Sequence, residues 1–145
     1  MKDMKLYLEL GSNIGARRTN IITALGMLDA RYGRRLAMSD IIETSALGFD
    51  GPDFLNCVAC FETYEDPMEI LSYCKRIEKA LGRKDHPVYR DNGDRIYMNR
   101  TIDIDILVYG DLEIDTPELK IPHHQVESRP FVKPLLEQAG YVVDK

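Results

Sequence analysis

Asn99-Arg100-Thr101-Ile102-Asp103-Ile104-Asp105-Ile106-Leu107-Val108-Tyr109 is a run of aliphatic, largely β-branched residues that carries two acids two positions apart. Its composition reads as a buried or half-buried strand. On a strand this spacing sends both carboxylates to one face, roughly 6.6 Å apart along the chain. Carboxylate tips that approach to ~5 Å repel by about 3 kcal/mol at an effective dielectric near 20. A fold keeps such a pair only where a cation, a proton or basic side chains offset the repulsion. Asp103 and Asp105 therefore form a candidate divalent-metal site. The competing reading is an ion-pair cluster with Arg83, Arg100 or Arg129.

The segment before this run gathers Arg83, Lys84, Arg90, Arg95 and Arg100, interleaved with Asp85, Asp91 and Asp94. A local cationic patch suits a small polyanion such as a nucleoside triphosphate; a solvated charged loop is the alternative. The chain as a whole carries a formal charge of −5, which argues against a non-specific nucleic-acid binder. No apolar run reaches membrane-spanning length. Met1-Lys2-Asp3-Met4-Lys5 leads into Leu6-Tyr7-Leu8-Glu9-Leu10 without a signal-peptide core, so the cytoplasm is expected. Three cysteines without a secretory signal point to reduced thiols. Cys57-x-x-Cys60 lies in a strand-like run where an odd separation sends the thiols to opposite faces, which favours packing over metal or redox chemistry.

The 145 residues suit one domain, 1–145. Leu6 to Leu10 reads as a strand ending at Gly11-Ser12-Asn13. Ile21, Leu25, Leu28 and Tyr32 follow at helical spacing, closed by Gly33. A second strand is predicted over 36–44, a loop over 46–53 and a third strand over 54–63. Asp66-Pro67-Met68-Glu69 has an acid cap and a first-turn proline, and Leu71, Cys74, Ile77 and Leu81 supply the apolar stripe before Gly82. A long polar loop is predicted over 83–99. After the Asp-x-Asp strand come a short strand near 112–114, a Pro122-His123-His124 turn and a short helix over 131–138. Strand, helix, strand, strand, helix, strand is the ferredoxin-like split β-α-β, an α+β sandwich with helices on one face of an antiparallel sheet.

Gly11-Ser12-Asn13 matches neither phosphate-binding glycine fingerprint, so any nucleotide must be held by metal and basic side chains. Phe54 and Asn56 share a strand face. An aromatic plane beside an amide suits a flat heterocycle, with plain core packing as the alternative for Phe54.

Taken together, Leu10-Gly11-Ser12-Asn13, Glu43-Thr44 with Leu47-Gly48, Asp53-Phe54-Leu55-Asn56, Ile77-Glu78 with Gly82-Arg83, Arg100-Thr101-Ile102-Asp103-Ile104-Asp105-Ile106, Ile121-Pro122-His123 and Arg129 with Phe131 resemble the 6-hydroxymethyl-7,8-dihydropterin pyrophosphokinase family along essentially the whole chain. The resemblance implies transfer of the β,γ-diphosphate of ATP to the pterin hydroxymethyl group in folate biosynthesis, with release of AMP. It implies two Mg²⁺ ions on Asp103 and Asp105, and Arg83 and Arg100 closing over the phosphates. Lys75, Glu78, Ile106, His123, His124 and Arg129 fall where the family contacts ATP. Thr44, Leu47, Phe54, Asn56 and Phe131 fall in its pterin pocket. The chain departs from the family pattern at Met98-Asn99, and at His124 where a tyrosine is common. A monomer acting on ATP and the pterin, without nucleic acid or membrane, is expected. A non-catalytic small-molecule sensor and a nucleotidyl-transferring palm domain are the rival readings.

Overall fold

The computed structural model describes residues 3–45, 51–82 and 101–142, and the backbone alone of 88–89 and 95–96. Leu47, Arg83 and Arg100 lie outside the described residues. The elements run β1 (Met4–Ser12), α1 (Arg17–Tyr32), β2 (Ala37–Met38), β3 (Ile42–Thr44), β4 (Phe54–Thr63), α2 (Pro67–Ala80), β5 (Val88–Tyr89), β6 (Arg95–Ile96), β7 (Asp103–Tyr109), β8 (Ile114–Asp115), β9 (Lys120–Ile121), α3 (Gln125–Ser128) and α4 (Val132–Gln138).

The main sheet has the order β2-β4-β1-β7, with β3 also paired to β4, and every pairing is antiparallel. This is the expected split β-α-β arrangement. The predicted strand over 36–44 is broken in two. At the break the Val58 N–H donates to Ser39 Oγ at 2.8 Å, so a side-chain oxygen takes a place in the ladder that a carbonyl would fill. Part of the predicted 83–99 loop is a short antiparallel ladder, β5 with β6.

The Asp66 side chain caps α2, its Oδ1 accepting from the Met68 N–H at 2.9 Å, and Gly82 (φ 103°) follows the helix end. The buried stripe of α2 is Ile70, Cys74 and Ile77; Leu71 and Leu81 pack only partly against the core. With Ile21, Ala24, Leu25 and Leu28 of α1 it covers the sheet face of Leu6, Leu8, Leu10, Cys57, Phe61, Ile104 and Ile106. The expectation of helices on one face is incomplete. Val132, Leu135 and Leu136 of α4 bury a second apolar cluster on the opposite face, with Tyr7, Val58, Cys60, Leu107 and Val108. Cys57 and Cys60 thus lie in different cores, as their odd spacing demands. Burial pushes the Cys57 thiol up to about 12, so it is inert.

Strand β7 is irregular in a useful place. Leu8 pairs with Ile106 and Tyr7 with Val108, leaving Leu107 as an extra residue. Such a bulge reverses the alternation of the strand beyond it. Leu107 and Val108 both reach the α4 side, and Tyr109 returns to the α1–α2 side. There the Tyr109 hydroxyl points at the carbonyls of Glu65 (2.7 Å) and Thr63 (3.2 Å), just before α2.

Candidate active site

Alternation and register build the site. On β7, Ile104 and Ile106 enter the core, so Asp103 and Asp105 take the opposite face, both half-buried. On β1 the same face carries Glu9 and Gly11; on β4 it carries Phe54, Asn56 and Val58. Gly11 pairs with Asp103 on one side and Asn56 on the other, and Glu9 with Asp105 and Val58. Asn56 and Asp103 therefore stand two strand spacings apart, about 10 Å, across a floor that has no side chain. A Cβ on Gly11 would lie 2.8 Å from Asn56 Oδ1 and 3.5 Å from Phe54 Cδ1, so both side chains lean over the glycine. Asn56, 4 % exposed, donates through Nδ2 to Thr44 Oγ1 on β3. An amide held in place beside an aromatic ring forms one half of the site; the acid pair forms the other.

Gly11-Ser12-Asn13 is a brace rather than a ligand loop. Asn13 Nδ2 donates to the Pro52 carbonyl at 3.1 Å and Asn20 Nδ2 to Ser12 Oγ at 3.2 Å. Arg17 donates to the Asp53 carbonyl at 2.8 Å and to Glu43 at 2.9 Å. These bonds fix the chain entering β4 immediately before Phe54.

The turn after β9 brings His123 to the acid pair. The His123 N–H donates to the Leu107 carbonyl at 2.9 Å, and the imidazole Nε2 lies 3.8 Å from Asp105 Oδ1. Nδ1 accepts from the Gln125 N–H at 3.1 Å, which leaves the ring proton on Nε2, facing Asp105. Burial, then the neighbouring His124, lowers the His123 pKa to about 4 against the pull of Asp103. The ring is neutral near pH 7, so its approach to Asp105 is not an ion pair. His124 is exposed and stacks on His123 at 4.5 Å. The Arg129 guanidinium carbon stands 4.5 Å over the Phe131 ring.

Glu9 is the residue the sequence reading missed. It is 3 % exposed, and its Oε2 is buried without a hydrogen-bond partner among the described residues. Burial raises its pKa to about 7, with Arg129 opposing and Asp103 adding to the rise. The signal was available: a charged residue inside the otherwise apolar Leu6–Leu10 run of the central strand, an even number of positions from Gly11.

The remaining predicted residues divide. Glu78 points from α2 to the outer edge of β7, where its Oε2 accepts the Ile104 N–H at 2.8 Å, between the two aspartates in sequence. It holds the acid strand. The Ile106 side chain is buried in the α1–α2 core, away from the acid face, leaving its backbone for any ligand contact. Lys75 is exposed on α2.

The donors fit magnesium. Hard carboxylate oxygens on one face suit Mg²⁺, and among the described residues no three acidic, histidine or cysteine side chains converge on one point. An ion that keeps water and substrate phosphate oxygens in its shell needs no such cage.

Among the described residues no helix is long and apolar enough to cross a membrane. The family model for 7,8-dihydro-6-hydroxymethylpterin-pyrophosphokinase (HPPK) matches residues 7–140. A 2-amino-4-hydroxy-6-hydroxymethyldihydropteridine pyrophosphokinase of Porphyromonas gingivalis is 40% identical over 140 residues, covering 94% of this chain and 92% of the relative. The protein of the same name from Aquifex aeolicus is 40% identical over 134 residues, 91% of this chain and 78% of the relative. The mitochondrial folate synthesis bifunctional protein of Pisum sativum is 36% identical over 145 residues, 99% of this chain and 27% of that longer protein. The ferredoxin-like sheet, the paired aspartates and the amide beside an aromatic ring thus come with a match over nearly the full length, and the chain belongs to the 7,8-dihydro-6-hydroxymethylpterin-pyrophosphokinase family.

Proposed function

We propose that this chain, acting as a cytoplasmic monomer with one domain over 1–145, transfers the β,γ-diphosphate of ATP to the hydroxymethyl oxygen of 6-hydroxymethyl-7,8-dihydropterin. The bond from the alcohol oxygen to the β-phosphorus forms as the bond from that phosphorus to the α,β-bridging oxygen breaks. AMP leaves with the bridging oxygen, and the alcohol proton is released. The observation that supports this reading is the Asn56–Gly11–Asp103 row, in which a buried amide and one member of the acid pair flank a glycine on one sheet face.

Asp103 and Asp105 would hold two Mg²⁺ ions, which neutralise phosphate charge and stabilise charge developing on the departing AMP oxygen. The protein's own contribution is placement. Phe54 stacks the pterin with Phe131 opposite, and Asn56 and Thr44 hydrogen-bond its polar edge together with Leu47. His123 offers a neutral N–H donor beside Asp105, suited to a phosphate oxygen. Arg129, His124, Lys75 and the backbone of Ile106 complete the ATP contacts, and Arg83 and Arg100 supply phosphate-binding charge. Glu78 acts through the acid strand rather than on ATP. The net charge of −5 supports small molecules rather than nucleic acid as substrates.

Purified protein mixed with ATP, Mg²⁺ and the reduced pterin should yield AMP and the pterin diphosphate in equal amounts. Release of ADP or of pyrophosphate, or no turnover, overturns the assignment.

A further inference from the structure

Glu9 stands in the site without an assigned task. It lies on the Asp103–Asp105 face, directly across from Asp105 on the neighbouring strand, with Val58 as its other cross-strand neighbour. Valine offers no hydrogen bond. Oε2 is sealed from solvent and has no partner among the described residues. The charges that reach the carboxyl are those of Arg129 and Asp103, one favourable and one not. A carboxylate buried in this way costs the folded state a desolvation penalty, and no hydrogen bond from the described residues offsets it. Glutamine or an aliphatic residue would fill the same volume at lower cost. The described residues leave this oxygen open to a partner that arrives with the working complex, a donor or a cation.

We propose that Glu9 is a positioning carboxylate of the metal site, accepting hydrogen bonds from water bound to the divalent ion on Asp103 and Asp105. This inference rests on the acid-pair reading given above. Direct ligation does not fit, because Glu9, Asp103 and Asp105 do not converge on one point. A contact through the hydration shell does. Mg²⁺ surrenders its waters reluctantly, and each retained water presents hydrogens that need acceptors. At the floor of this face Glu9 supplies a buried oxygen. Groups that act on bound ions from this distance typically change metal affinity 10- to 100-fold.

The test is titration of Mn²⁺ into the full chain saturated with α,β-methylene-ATP, whose carbon bridge blocks the transfer, with bound ion read by electron paramagnetic resonance. Glu9→Gln should weaken Mn²⁺ binding about 10- to 100-fold, and Asp105→Asn should weaken it further. Melting provides a second readout. In EDTA Glu9→Gln should melt above the wild type, and added Mn²⁺ should raise its Tm by less. Should Glu9→Gln not fold, Glu9→Ala carries the same expectation for the ion. Wild-type Mn²⁺ affinity in the Glu9 variants, with binding lost in Asp105→Asn, overturns the role of Glu9 alone. Unchanged binding in all the variants, or no bound ion in the wild type, overturns it together with the acid-pair reading.

Discussion

Asp103 sits half-buried on β7, an edge strand, so removing its carboxylate uncovers little apolar surface. Asp103→Ala should lower kcat more than about a hundredfold, beyond the usual loss from an outer metal contact, while the Tm stays close to wild type. Retained turnover in a coupled AMP assay would remove the metal-ligand role. Phe54 separates the two substrates. Losing one stacking plane costs ~1–3 kcal/mol, so Phe54→Ala should raise KM for the pterin about 5- to 150-fold with little change for ATP. Equal losses for both substrates would count against stacking. These residues were legible because alternation is a local rule: once 103–109 and 54–63 are strands, the faces of Asp103, Asp105, Phe54 and Asn56 follow. Glu9 was marked only by its charge within the Leu6–Leu10 run; what surrounds its carboxyl was not legible, because the Arg129 charge that acts on it comes from far along the chain.

At the level of elements, α2 and β7 are coupled by a side chain. Glu78 accepts the Ile104 N–H at 2.8 Å on the outer edge of the sheet, where no further strand among the described residues pairs with β7. Glu78→Ala leaves a buried donor without its acceptor, a loss of about 1–3 kcal/mol. Denaturant unfolding should show that loss together with a fall in kcat. Glu78→Gln keeps an acceptor oxygen and should restore most of both. A fall in ATP affinity alone, at unchanged stability, would return Glu78 to the nucleotide. Element identity was readable where caps and periodicity are strong, as at Asp66-Pro67 and Gly82. It failed over 36–44, because a serine hydroxyl substituting for a carbonyl interrupts a strand without altering its composition. The stripe of α2 is shifted to Ile70 for a related reason: apolar residues at 70 and 71 both fit a helical period, and only the sheet beneath decides between them.

Across the whole molecule, one sheet separates two apolar cores, and the site occupies the part of the α4 face beside the second core. That placement buries two titratable groups with opposite consequences. His123 has its pKa lowered from 6.5 to about 4. Between those values the unfolded chain binds more protons, so its contribution is complete above pH 6.5 and is lost as pH falls towards 4. Glu9 has its pKa raised from 4.5 to about 7. Here the folded chain binds more protons, so stability is lost as pH rises from 4.5 through 7. Each displacement corresponds to about 3 kcal/mol. Because the two windows overlap and oppose each other, in EDTA the wild-type melting temperature should pass through only a shallow maximum near pH 5–6, whereas in Glu9→Gln it should rise until about pH 6.5 and then level off. A variant with the wild-type slope above pH 6 would show that Glu9 ionises freely. The sheet order was legible in the alternation of strands and helices, but the cover on its second face was not. A seven-residue α4 reads the same whether it docks on a sheet or trails into solvent.

Two bonds described for β7 act on the same neighbour. The Tyr109 hydroxyl points to carbonyls just ahead of α2, and Glu78 near the other end of that helix grips the Ile104 amide. Helix and strand are thus riveted at both extremities and must loosen as one cooperative unit. Amide hydrogens of 70–80 and 103–109 should exchange with deuterium at matching free energies, so the aspartates remain in register until the second helix itself detaches.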